Sequence, residues 1–180
     1  MSEHNRIKRT VCCAICIALA FVTSFIKLFQ LPFGGSVTLF SMLFITLTGY
    51  LFGLRAGLMS ASVYSILQLV TGSGLLSLWQ ALLDYVFAYV SLGLSGLLRK
   101  HLIPGYLLAI FCRAAFSSLA GYLFYMEYMP DNFPKQISFL YPVVYNYGFI
   151  FAEGIMTVIL LCIPPVRKQI AKIRLSCDKN

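Results

Sequence analysis

Three ionisable residues, Asp84, Arg113 and Glu153, stand inside long apolar runs. A charged group in apolar surroundings is costly to keep unless it is paired, hydrogen-bonded or used. These three are therefore the first places to look for chemistry. A carboxylate accepts from amino groups or balances positive charge, and the carboxamide of Asn146 offers both a donor and an acceptor. Tyrosine faces, at Tyr85, Tyr125, Tyr141 and Tyr145, attract cations. Such a set suits a planar, nitrogen-rich or cationic solute. Cys13 and Cys16 have the C-x-x-C spacing of redox and zinc sites, but no histidine or second pair lies nearby, and they read as small hydrophobes in a helix. His4 and His101 are far apart in the sequence, and no Ser/His/Asp or metal-ligand cluster emerges. A G-x-x-x-x-G-K-[ST] loop is absent, which excludes nucleotide hydrolysis by that route. Neither an enzyme nor a bound cofactor is expected.

The elements that must position these groups follow from composition. The chain is 59% hydrophobic and only 11% charged, with mean hydropathy +0.83. Soluble domains average roughly 45–50% apolar and about 25% charged. A chain of this length stays mostly surface when folded, so that much apolar area requires a lipid solvent. The net charge of +8 does not point to nucleic acid, because the basic residues sit in loops and termini between apolar spans. That distribution reads as membrane orientation and contact with anionic lipid.

A spanning helix needs about 20 mostly apolar residues. Six candidates are expected, over residues 11–29, 37–52, 56–70, 77–98, 106–128 and 139–163, in a single transmembrane domain covering 1–180. The second and third are joined by Gly53-Leu54-Arg55-Ala56-Gly57 and form a tight hairpin; merged, they would be far too long for one crossing. The first is too long for a cleavable signal peptide and is followed by further spans. Arg6, Lys8, Arg9, Arg55, Arg99, Lys100, Arg167, Lys168, Lys172, Arg174 and Lys179 then fall on one side, with Lys27 and Lys135 on the other. The positive-inside rule places both termini in the cytoplasm.

Depth follows from the helical rise. Asp84 and Asn146 each lie seven residues inside their spans, about 10 Å from the outer end, and Gly121 reaches the same level from the fifth span. Three helices thus present a carboxylate, a carboxamide and a glycine gap together, with tyrosines at or just above them. Asp84 could instead bond a neighbouring helix, but an unpaired carboxylate there needs a partner; the ligand site is the preferred reading. Tyr106 and Tyr128 suit an interfacial aromatic belt. Arg113 and Glu153, each about 21–22 Å from the outer end, suit a buried ion pair. Ala14 and Ala18 form a small-xxx-small pattern that admits a close helix neighbour.

The runs Pro32-Phe33-Gly34-Gly35-Ser36-Val37-Thr38-Leu39, Gln80-Ala81-Leu82-Leu83-Asp84-Tyr85 and Tyr141-Pro142-Val143-Val144-Tyr145-Asn146, with Arg99 closing the fourth span, resemble the ThiT family. Its members are thiamine-binding S components of energy-coupling factor (ECF) transporters. The resemblance covers nearly the whole chain, and the Gln-x-Leu-Leu-Asp-Tyr run is its most specific part. It implies an S-component-like bundle of six transmembrane helices in the bacterial cytoplasmic membrane, without an ATPase of its own. Its partners would be a transmembrane coupling protein, docked through Ala14 and Ala18, and two cytoplasmic ATPase subunits. By the same resemblance, Asp84, Tyr141 and Asn146 hold thiamine, Tyr85 and Gly121 belong to the pocket, and the loop from 31 to 36 is an outer lid.

Departures from one branch of the family fall in the same pocket. Ser117 stands where that branch has histidine, and Tyr125 where it has tryptophan; the acid is Asp84 and not the longer glutamate. The ligand implied is thiamine, with a thiamine precursor or related pyrimidine as the alternative. A reading of another class, a proton-coupled carrier using Asp84 and Glu153 as proton sites, would call for inverted repeats with broken helices, and none is visible in the sequence.

Overall fold

The computed structural model describes residues 3–31, 35–72, 78–124, 126 and 135–178. The first helix, α1 (Glu3–Ser24), is followed by a short antiparallel pair, β1 (Lys27–Gln30) and β2 (Ser36–Thr38). Then come α2 (Ser41–Phe52) and α3 (Leu54–Thr71), and a continuous rod α4 (Leu78–Leu98). After these run α5 (Leu102–Phe124), a short 3-10 helix over Lys135–Leu140 that leads into α6 (Tyr141–Cys162), and α7 (Pro164–Asp178). Among the described residues, four helices are long and apolar enough to cross a membrane, within Asn5–Ser24, Leu78–Leu98, Leu102–Phe124 and Ile137–Cys162. Val11, Ile15, Met59, Phe111, Ile155 and Ile159 are among many large apolar side chains pointing outward, as expected where lipid and not water surrounds the bundle.

The expected helix over 11–29 ends early. Thr23 and Ser24 turn their hydroxyls back onto the carbonyls of Leu19 and Phe21, at 2.8 and 2.7 Å, a bond that competes with the helical ladder. Lys27 then pairs with Thr38, Phe29 with Val37 and Gln30 with Ser36. The second expected span is shortened for the same reason, since Val37 belongs to β2 and α2 begins only at Ser41. Phe40, just before it, is left-handed (φ 60°) and supplies no side-chain cap. The buried carboxylate of Glu153, from α6, caps the helix instead, accepting from the Met42 amide at 3.1 Å and the Ser41 hydroxyl at 3.3 Å. It also accepts from the amide and hydroxyl of Thr38, at 3.1 and 2.6 Å.

Gly53 (φ +84°) is the whole connection between α2 and α3, so the expected hairpin is tighter than the sequence suggests. Both helices lie against α4 through glycine. A Cβ on Gly93 would stand 2.6 Å from the Gly57 carbonyl carbon, and one on Gly96 would stand 2.5 Å from the Leu54 amide. The Ser95 hydroxyl donates to the Thr46 carbonyl across this seam at 2.9 Å. The core proper gathers Ala20, Met42, Ile45, Ala61, Tyr64, Leu92, Tyr106, Ala109, Ile110, Ala114 and Ile150. Tyr106, expected in an interfacial belt, is 1% exposed and belongs to that core; Tyr128 lies outside the described residues. Helix α7 follows Cys162 almost directly and packs beside α2 and α6. It was not among the expected elements.

Candidate functional site

Asp84 sits in the middle of a π-helical stretch, Ala81–Phe87, within α4. Such wide turns are rare and recur at functional positions. Facing it, α5 presents Arg113, Ser117 and Gly121 at four-residue intervals, which puts all three on one stripe, and all three are buried. The Ser117 hydroxyl and the Arg113 guanidinium are both close enough to the Asp84 carboxylate to act on its charge.

One turn along the same stripe, Gly121 leaves room for α6. A Cβ there would come within 2.9 Å of Pro142 Cβ and 3.2 Å of Asn146 Nδ2. Asn146 is buried, 7% exposed, and its Nδ2 donates to the Pro142 carbonyl at 2.9 Å. That bond fixes the amide's orientation and leaves its oxygen to accept from elsewhere. Two pairs, Asp84 with Ser117 and Gly121 with Asn146, are thus joined through α5.

Aromatic rings border them. Tyr85 leans on Gly72, where a Cβ would stand 2.6 Å from its ring, and its ring centroid is 6.2 Å from that of Tyr89. Tyr89 meets Tyr64 edge-on at 5.4 Å. Tyr141 and Tyr145 lie with centroids 6.1 Å apart, and the Tyr145 hydroxyl accepts from the Gly35 amide at 3.1 Å. This ties the β1–β2 connection to α6. Tyr125 and the lid residues 32–34 lie outside the described residues.

The expected ion pair between Arg113 and Glu153 does not form among the described residues. Glu153 is 2% exposed and its two oxygens are taken by Thr38, Ser41 and Met42. Arg113 instead lies over the Tyr89 ring, 4.3 Å from its centroid, and its buried Nε has no hydrogen-bond partner among the described residues. Equal depth on adjacent helices says nothing about which way each side chain turns. Arg113 therefore joins the Asp84 neighbourhood, which sequence reasoning missed; its four-residue spacing from Ser117 was the available signal. Ala14 and Ala18 are exposed on the outward face of α1, away from buried Ala20.

Fold and site together define a multi-helix membrane protein with a polar, aromatic-bordered cluster between its helices. Residues 10–173 match the thiamine transporter protein family (Thia_YuaJ), and the chain belongs to that family. It is 27% identical over 182 residues to the thiamine transporter ThiT of Bacillus subtilis strain 168, covering 91% of this chain and 93% of that protein. The solved structure of ThiT from Listeria monocytogenes has the same fold, with a TM-score of 0.69 at 23% identity, over 89% of this chain and 96% of that one.

Proposed function

We propose that this chain captures thiamine as the S component of an ECF importer in the bacterial cytoplasmic membrane, and that Asp84, Tyr85, Ser117, Gly121, Tyr141 and Asn146 form the binding site. The observation that carries this reading is the approach of Asp84 to Ser117, and of Gly121 to Asn146, on three helices beside neighbouring tyrosines, in a chain of the thiamine transporter family. Thiamine joins a permanently cationic thiazolium to an aminopyrimidine. Asp84 offsets the cation, tyrosine faces hold its plane, and Asn146 meets the donor and acceptor edge of the pyrimidine. Arg113 keeps the unliganded carboxylate from standing alone in the bilayer.

Six crossings with both termini in the cytoplasm complete the proposal. Helix α2 reaches only about 18 Å, and the extended residues leading into it supply the rest of that crossing at about 3.3 Å each. Energy coupling comes from a transmembrane coupling protein and two ATPases, with the exposed Ala14/Ala18 face of α1 offering the close approach small residues permit.

Isothermal titration of the purified chain with thiamine, its pyrimidine half and its thiazole half tests the reading. Intact thiamine binds without ATP. Binding of the pyrimidine half alone would replace thiamine by a precursor. Accumulation by vesicles holding only this chain, driven by a proton gradient, would overturn the S-component role in favour of a carrier.

A further inference from the structure

The C-terminal helix has no part in the site and is built unlike the spans. In its fifteen residues α7 carries Arg167, Lys168, Lys172 and Arg174 against the single acid Asp178. Val166, Ile170, Arg174 and Cys177 form the half-buried side turned to the bundle, while Arg167, Lys168 and Lys172 are exposed. At the edges of the inward side, Ile163 and Ile173 remain 43% and 48% exposed. Ile163 directly follows the last residue of the α6 span, where water would be a poor neighbour.

Arginines from other elements gather at the end of α2 against which α7 packs. Arg174 lies over the Tyr50 ring, 4.7 Å from its centroid, and Arg9 of α1 lies 6.0 Å from the Phe52 centroid. Arg99 donates to the Leu51 carbonyl at 2.7 Å. Cations from three elements therefore surround one helix C-terminus, whose dipole and open carbonyls favour positive charge. The twelve-residue α2 is shorter than a bilayer core is thick, and these cations gather at the end where it stops.

We propose that α7 is an interfacial helix that binds anionic phospholipid: Ile163 and Ile173 enter the edge of the leaflet while Arg167, Lys168 and Lys172 meet lipid phosphates. Charge complementarity selects the occupant. An amphipathic helix with this cationic excess, running directly on from a membrane span, lies in the plane of the interface and is held by apolar burial plus attraction to anionic headgroups. Acidic protein partners would satisfy the lysines but leave Ile163 and Ile173 in water. The inference needs only that the bundle be embedded in a membrane, and stands apart from the identity of the transported solute.

The test uses the full chain in nanodiscs of phosphatidylcholine alone and of phosphatidylcholine with phosphatidylglycerol, read by hydrogen–deuterium exchange. Amides of α7 exchange about ten-fold or more slowly in the anionic discs, and added salt reduces the difference. Replacing Arg167, Lys168 and Lys172 together by Gln abolishes it, at about five-fold for each cation lost from the surface, while exchange in α5 and thiamine binding serve as checks that the variant is folded. Equal α7 exchange in the two compositions overturns the proposal, as does a triple variant that keeps the full slowing. Loss of thiamine binding by the native chain in both discs would count against the site reading and leave this one standing.

Discussion

Among the described residues two acids lie inside this bundle, and their surroundings differ in kind. Glu153 is almost wholly enclosed and receives four hydrogen bonds from Thr38, Ser41 and Met42, so its acceptor capacity is spent on ordering the start of α2. Asp84 is only partly covered and lies near the Ser117 hydroxyl and Arg113 without a close pairing among the described residues. A carboxylate saturated by protein donors is a structural joint. One held near donors but left with capacity is available to a ligand. The proposed roles rest on that contrast, since both residues look alike in sequence, a lone acid in an apolar span.

The sharpest way to break the contrast is Glu153→Ala. The Thr38 and Met42 amides lose their acceptor inside the bundle, at about 1–3 kcal/mol each. Thermal unfolding in detergent should therefore fall steeply, with or without thiamine. A variant that melts like the native chain while losing thiamine would reverse the assignment of the two acids.

Asp84→Asn should behave in the opposite sense. It keeps the size and one oxygen but removes the charge, so thiamine affinity falls by about 1.5–3 kcal/mol, or roughly ten- to a hundred-fold or more. Stability changes little or rises, because an ionised carboxylate at that depth is costly. Unchanged titration with a lower melting temperature would make Asp84 a helix-packing residue. The smallest expected effect is Ser117→Ala, which removes one neutral hydroxyl from the Asp84 side. Affinity drops by about 0.5–1.5 kcal/mol with an unaltered melt, and a loss as large as that of Asp84→Asn would mean that Ser117 touches the ligand directly.

Much of the candidate cluster was legible because a bilayer makes every polar residue conspicuous. Asp84, Gly121 and Asn146 could be set at one level by counting residues, and the structure brings Gly121 and Asn146 into contact. Counting gives height along a helix and not the direction a side chain faces. Arg113 and Glu153 therefore seemed paired when one turns to Tyr89 and the other to β2 and α2. Hydropathy likewise ran α1 into β1, since Phe25, Ile26, Leu28 and Phe29 are apolar in either conformation; only the Thr23–Ser24 back-bonds mark the break. Helix α7 escaped notice because its apolar residues recur at helical spacing among charges, which an average over the window conceals.

The wide turn at Ala81–Phe87 also governs how related sequences should be laid beside this one. A π turn takes up more residues per revolution than the α-helix around it, so it can absorb an inserted residue without disturbing what comes before or after. Gln80 and Gly93 could keep their neighbours while the stretch between them gained or lost a residue. A one-residue gap among relatives at this point is then a difference in winding, not a displaced helix. The acid equivalent to Asp84 is accordingly the one that faces the Ser117 position, whatever its count from Gln80.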